Sequence, residues 1–297
     1  MTATGAAFRR HTVVGIGNGD DGRRRNGAVR AGAATMLALA GCAPAHAPPI
    51  GPARGGVVST NPCADAIVTR LVPRDRIAAI SHYSQDPQAT SMPLDVARRY
   101  RVTAGTAEEV IALAPSLVLT SSFTPLATRE AYARAGLRIL TLGSPTTIAA
   151  SEAQIAQIAA AVGAAGRGQA MIAAIERGVA AAAARDARRP AALLFIAGDL
   201  ANGSGTLLDE MMRRAGFANA AARYGLAFTG TLPAEAIVAR PPAIVIAPDR
   251  GGRGAAMRRA LLGATREARF DRALVNCGGP TIVPAMRRLA AIRATLR

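Results

Sequence analysis

From position 57 onward, short apolar runs alternate with stretches of helical periodicity. Val57 to Thr60 predicts a strand, after which Asn61 and Pro62 supply an N-cap and a first-turn proline for a helix through Leu71. Ile77 to Ser81, Ser116 to Thr120 and Arg138 to Leu142 predict further strands, with a helix from Ala127 to Ala135 stopped by Gly136. Thr106-Ala107-Glu108-Glu109 has the form of a capping box, with Thr106 bonding the Glu109 amide and Glu109 reaching back. The rhythm changes at Ser151, where Gln154 completes a second capping box. One helical stretch runs from there to about Ala184, broken only near Gly163 to Gly166, and Ile155, Ile158, Val162, Ile172, Ile175 and Val179 mark its buried face. Alternation then resumes: strand Ala191 to Ala197, helix Thr206 to Ala215 before Gly216, and strand Ala243 to Ala247. A helix near Gly254 to Leu262, a short strand at Leu274 and a final helix complete the chain.

A repeat gives this pattern a plan. Glu108 stands seven residues before Pro115 and a buried strand, and Glu235 stands seven residues before Pro242 and another, 127 positions later. Proline ends the helix and opens the strand in both. The fold class expected is α/β, with two Rossmann-like parallel-sheet lobes over residues 56–145 and 191–297. A long rigid α-helix within 146–190 joins them, and the ligand cleft lies between the lobes.

The first 41 residues differ in character. Arg23, Arg24, Arg25 and Arg30 precede an apolar run from Ala31 to Ala40, about ten residues against the roughly 20 that a spanning helix needs. Basic residues before a short apolar run read as a signal peptide. The run ends in Leu39-Ala40-Gly41-Cys42, which resembles the bacterial lipobox and implies a lipid on Cys42 as the only membrane attachment. Cleavage after Ala45-His46-Ala47 is the other reading, disfavoured by Pro48 behind the cut. Residues 42–55, rich in proline and glycine, suit an extended tether. Gly17-Asn18-Gly19-Asp20-Asp21-Gly22 has dinucleotide-loop spacing but runs into arginines without helical periodicity, and no cofactor is expected from it.

Composition removes one class of partner. All 36 basic residues are arginine, and the formal charge is +17. The excess is spread over many helices without interleaved aromatics, so no nucleic-acid partner is expected.

Several segments together resemble the helix-linked (class III) periplasmic substrate-binding proteins of ABC importers, which deliver ferric siderophores, haem and cobalamin. They are Asn61-Pro62-Cys63-Ala64-Asp65, the two Glu-to-Pro segments, Gly205-Thr206-Leu207-Leu208 with Ala215-Gly216-Phe217 and Asn219, and Asn276-Cys277-Gly278-Gly279-Pro280. The likeness runs from about Val57 to the C-terminus and departs at Pro115-Ser116 and Pro242-Ala243, where the family has Pro-Asp. It implies a periplasmic, non-catalytic, monomeric receptor that hands a metal-chelate small molecule to an ABC permease dimer. The chelate expected is a cobalamin-type corrinoid or a ferric siderophore, whose own cobalt or iron is part of the cargo. Haem is less expected, because the chain lacks Trp and is poor in aromatics. The resemblance also implies that Glu108 and Glu235 meet permease arginines. Taken alone, both read as first-turn helix acids favoured by the dipole.

In open α/β lobes a ligand sits beyond the carboxyl ends of the strands. Loops there contain Asn61, Cys63, His82, Tyr83, Ser122, Phe123, Asp199, Asn202, Arg250, Asn276 and Cys277, while Tyr224 and Phe228 lie in a connection that overhangs the cleft. Tyr83 and Phe123 either stack on a planar macrocycle or close their loops onto the lobe. His82, a single histidine, reads as a hydrogen-bonding residue rather than a metal ligand, and Arg250 is a candidate partner for an anionic group. With Cys42 lipidated, Cys63 and Cys277 remain. Two separate buried thiols is the favoured reading, a disulfide across the base of the cleft the second, and a thiolate ligand to bound metal the third. One alternative function makes Cys63 a nucleophile at a helix N-terminus, although only His82 offers a base. A ligand sensor on the same fold is another.

Overall fold

Asn61 ends one element and starts the next. β1 (Val57–Ser59) stops where the Asn61 side chain accepts hydrogen bonds from the amides of Cys63 and Ala64, capping α1 (Pro62–Leu71). Strand–helix units follow as β2 (Ile77–Ser81), α2 (Leu94–Ala97), β3 (Val102–Thr103), α3 (Ala107–Ala112), β4 (Leu117–Ser121), α4 (Leu126–Arg134) and β5 (Ile139–Leu142). They form one sheet in the order β3-β2-β1-β4-β5, parallel throughout. After α5 (Ile148–Ala161) and α6 (Ala165–Ala182) come β6 (Ala191–Ala197), β7 (Leu200–Asn202), α7 (Leu207–Arg214), β8 (Ala218–Asn219) and β9 (Thr229–Thr231). The chain continues through α8 (Ala234–Ala239), β10 (Ile244–Ala247), β11 (Arg266–Arg269) and α9 (Ile282–Ala294). The second sheet runs β11-β10-β6-β7-β9, with β8 beside β6. The computed structural model describes residues 55–248, 256, 258–260, 262, 263 and 265–296. The leader, the tether up to Arg54 with Cys42, and the loop with Asp249 and Arg250 lie outside the described residues, as do Gly254, Ala255, Met257 and Leu261 of the helix expected near Gly254 to Leu262.

Period-two alternation along the strands sorts side chains into layers. Val57, Leu117 and Leu119 face one core, while Val58 and Val118 face another, closed by Val110 and Tyr132. In the second sheet Ala192, Leu194, Ile244 and Ile246 join the same core as Val57. Leu193, Phe195, Val245 and Ala247 face outward under Ile237. One apolar core therefore runs from the inner face of the first sheet, through Ile155, Ile158, Ile175 and Val179, to the inner face of the second. The two lobes share it.

The structure departs from the sequence reading at several places. The linking stretch, expected as one rigid helical element with a break near Gly163 to Gly166, is two helices, α5 and α6, that turn at Gly163 (φ +68). They pack so closely that a Cβ on Gly168 would lie 2.5 Å from the Ala159 Cβ. Thr147, not Ser151, caps α5 by accepting from the Ala150 amide. Ser151 is buried, and Gln154 donates to the Gly143 carbonyl instead of closing a capping box. Thr106 caps α3 as expected, but Glu109 reaches past it to the Ala104 amide and the Thr103 hydroxyl, which hold its carboxyl below the usual range. The second sheet is mixed, with β7 antiparallel to both β6 and β9. Leu274 lies in a 3-10 turn. The strand is β11, whose Arg-Glu-Ala-Arg sequence carries no apolar run because it sits at a sheet edge.

Two buried ties fix the junction. Cys63 and Cys277 form a disulfide, Cα atoms 5.2 Å apart, joining the start of α1 to the segment before α9 across 214 positions. This corrects the preference for two separate thiols. Beside it the Gly279 amide donates to the Ser151 hydroxyl at 2.7 Å, and a Cβ on Gly278 would meet that same hydroxyl. Deeper in the first lobe, Asp65 on α1 is fully buried and its Oδ2 accepts from the Ser81 amide (2.9 Å) and the Ser84 hydroxyl (2.6 Å). Burial raises its pKa from 3.8 to about 7, offset in part by the neighbouring Ser59 and Ser84 hydroxyls and the Ser81 amide.

Replacing both bridged cysteines by serine is expected to lower the free energy of unfolding by roughly 2–5 kcal/mol, the range for releasing a long closed loop. Urea melts with and without reductant measure it, and an unchanged midpoint would show that packing alone holds the junction. For Asp65 the native state keeps a proton that the unfolded chain gives up from about pH 4, so stability falls as pH rises to about 7 and then levels off. Asp65→Asn is therefore expected to gain a few kcal/mol relative to wild type between pH 4 and pH 8. Urea titrations of the two proteins at both pH values decide; a constant difference refutes it.

Candidate functional site

The carboxyl ends of strands from both sheets open on one cleft of about 780 Å³. Its floor is the disulfide with Asn61 and Gly278. The first lobe adds Thr60 after β1, Tyr83 after β2, Gly105 after β3, Ser121 at the end of β4 with Phe123, Thr124, Pro125 and Thr128 beyond it, and Gly143 to Thr146 after β5. Ile196, Asn202, Thr206 and Thr229 come from the second lobe. Among the described residues lining it, none carries a charged side chain. Hydroxyls and amides dominate the polar part. Thr60, Thr120 and Thr124 form a chain of hydroxyls at the cleft wall, with Thr60 Oγ1 donating to Thr120 Oγ1 (3.1 Å) and Thr120 and Thr124 sharing a 2.8 Å bond.

The wall is built from fixed turns. Ser81 accepts from the Tyr83 amide, and with Asp65 holding Ser81 and Ser84 the turn presents Tyr83 half-exposed at the cleft. On the opposite lobe Thr206 caps α7 while donating to Asn202 Oδ1. Asn219 then donates to the carbonyls of Asn202 and Gly203 and to Asp209 Oδ1. Glu210, on the same helix, accepts from the Ile148 amide at the start of α5 and pairs with Arg214.

Seven of the expected site residues meet at the cleft: Asn61, Cys63, Tyr83, Phe123, Asn202, Asn276 and Cys277. Asn276 also spans the junction, its Nδ2 donating to the carbonyls of Gln88 and Thr90. Four others do not line it. His82 turns its Nδ1 to the Thr103 carbonyl (3.2 Å) and its ring onto Tyr83. Ser122 faces solvent beside Ser121, which lines the cleft in its place. Asp199 sits at the exposed turn between β6 and β7. Tyr224 donates its hydroxyl to the Arg240 carbonyl and packs against the outer core of the second lobe, and burial raises its pKa. Arg250 lies outside the described residues. No group of three metal-ligating side chains occurs among the described residues. The Cys63 sulfur is bonded to Cys277, so the thiolate required by the nucleophile reading is absent.

The sequence reading missed the loop after β5, with Ser144 and Thr146, and the residues Thr124, Thr128 and Thr229. The strand-end rule that selected the other loops applies equally to β5, whereas Thr229 opens β9, a strand too short to be recognised. Glu108 and Glu235 are exposed, each in the first turn of a six-residue helix, α3 and α8. α3 starts just past the cleft-lining Gly105, and α8 follows β9, whose first residue, Thr229, lines the cleft.

Comparison with known proteins agrees with this geometry. A family model described as "Periplasmic binding protein" matches residues 57–267. No curated protein matches the chain. Among solved structures, the periplasmic heme-binding protein RhuT from Roseiflexus sp. RS-1, in apo form, is 24% identical with a TM-score of 0.67, over 82% of this chain and 99% of that one. The periplasmic heme-binding protein BhuT, in complex with two hemes, is 23% identical with a TM-score of 0.67, over 81% and 98%. The periplasmic vitamin B12-binding protein BtuF of Vibrio cholerae is 15% identical with a TM-score of 0.62, over 82% and 97%. At these identities the structures speak to the fold, and the family model covers most of the chain: this protein belongs to the periplasmic binding protein family.

Proposed function

We propose that this protein captures an uncharged, amide-bearing metal chelate, a corrinoid of the cobalamin type, and delivers it to the permease of an ABC importer. The observation that carries the reading is the chemistry of the cleft wall, hydroxyls and carboxamides with two aromatic rings and no charge among the described residues. The amide-fringed edge of a corrinoid finds donors and acceptors there. A triscatecholate iron complex brings a large negative charge, and burying it without a cation is costly. Neutral hydroxamate iron chelates fit the same criterion less fully, since they offer no flat face to Tyr83 and Phe123.

Haem is the second reading, favoured by Tyr83, because a tyrosine phenolate can ligate haem iron and this phenol is half-exposed at the cleft. The proteins of similar fold include binders of both heme and vitamin B12. Haem propionates, however, would find no cation on the described wall.

Glu108 and Glu235 serve in this reading as the two docking points on the permease, and Cys42 as the lipid anchor that keeps the receptor at the membrane outside the cytoplasm. Two carboxylates on separate lobes fix the docking orientation through charge-assisted bonds to arginines.

Calorimetric titration of the leaderless protein with cyanocobalamin, dicyanocobinamide, a neutral ferric hydroxamate and hemin tests the cargo. Corrinoid binding without turnover is expected. Binding of hemin alone, with its absorption bands altered by Tyr83→Phe, moves the assignment to haem. The double variant Glu108→Ala/Glu235→Ala is expected to bind cargo as wild type does yet fail to support uptake in cells carrying the importer; normal uptake removes these residues from docking.

A further inference from the structure

Two costly features coincide at Phe228. Its φ is +60, and Ala114 is the only other non-glycine residue at positive φ among the described residues. A bulky side chain in that region is strained. Its ring is also 63% exposed and belongs to none of the apolar cores. An exposed phenylalanine alone needs no explanation, but here exposure is combined with a backbone that favours glycine.

The surroundings enforce that backbone. The Phe228 amide donates to the Ser204 carbonyl at 2.8 Å, and Ser204 pairs with Ala227 in an isolated bridge. Gly203 has no Cβ to spare, since one would lie 1.9 Å from the Phe228 carbonyl oxygen. The ring lies over Gly205, next to the helix cap Thr206, and the following residue, Thr229, lines the cleft. Phe228 does not itself line the cleft but borders it through Thr229, and within the cleft the first lobe exposes Phe123 (81%) and Tyr83 (50%).

We propose that Phe228 is a specificity-determining ligand contact, an aromatic plate on the second lobe that covers the face of a macrocycle held against Tyr83 and Phe123. The assignment rests on the reading of the cleft as a macrocycle site. In the free protein the strain and the exposed ring are both uncompensated. A flat guest buries the ring and offsets them, whereas a small or globular chelate leaves it in water.

The test pairs Phe228→Gly with Phe228→Tyr in the leaderless protein, measuring thermal midpoint and affinity for dicyanocobinamide, cyanocobalamin and hemin. Phe228→Gly is expected to leave the midpoint equal or higher, since glycine relieves the strain. Its affinity for the macrocycle that wild type binds is expected to fall about tenfold or more, with Phe228→Tyr within about twofold of wild type. Unchanged affinity in Phe228→Gly overturns this assignment alone. A joint fall of midpoint and affinity in that variant also overturns it, because the ring is then a structural support. If wild type binds none of the three macrocycles, this assignment and the cargo reading fall together.

Discussion

The short segment Asn276 to Gly279 is what makes one body of two lobes. It leaves the second sheet, meets α1 through the Cys63–Cys277 bond, and donates from Gly279 to Ser151 in the first turn of α5. Bulk is excluded there: Cβ atoms on Gly278 and Gly279 would press on Ser151, Leu207 and Ile67, side chains from three helices. The floor of the cleft is therefore at once a covalent tie, a buried hydrogen bond and a close-packed contact. Close-packed interiors resist continuous deformation. With a single apolar core running through α5 and α6 into both sheets, wide hinge closure is disfavoured, and recognition falls to the rim loops.

Electrostatics of the cleft gain meaning from the rest of the chain. A protein whose 36 basic residues are all arginine nevertheless keeps guanidinium groups off the described cleft wall. They appear elsewhere as short helix-surface pairs, Arg99 with Asp95 and Arg134 with Glu130, or as partners of backbone carbonyls, as Arg288 is of Arg269. Exposed pairs of this kind add little stability. The described cleft wall is instead one of hydroxyls, amides and rings.

Much of this was legible in advance, and the reasons for success and failure are physical. β6 and β10 were recognisable because buried parallel strands read as continuous apolar runs, and α1 because Asn61 and Pro62 announce a helix start. The repeat at Glu108 and Glu235 was legible because proline constrains the residue before it as well as itself. What failed depended on distant partners. Ser151 resembles a cap locally, but its hydroxyl is taken by Gly279, 128 positions away, and Thr147 does the capping. The disulfide was one of three readings, since pairing depends on a fold that brings Cα atoms to 5.2 Å. Tyr224 and Asp199 sat in the right connections but on the wrong side of them, which spacing along a loop does not encode.

The same topology that gathers the cleft loops also places the helices that carry Glu108 and Glu235. A helix connecting parallel strands must run back against them, so it begins at the carboxyl end of the sheet. α3 follows Gly105, and α8 lies just beyond Thr229, both cleft residues. Glutamates in the first turns of these helices are exposed in each lobe, where the helix dipole favours their charge. On the docking role proposed above, two contacts on separate lobes would respond to a change in lobe spacing without requiring a large closure.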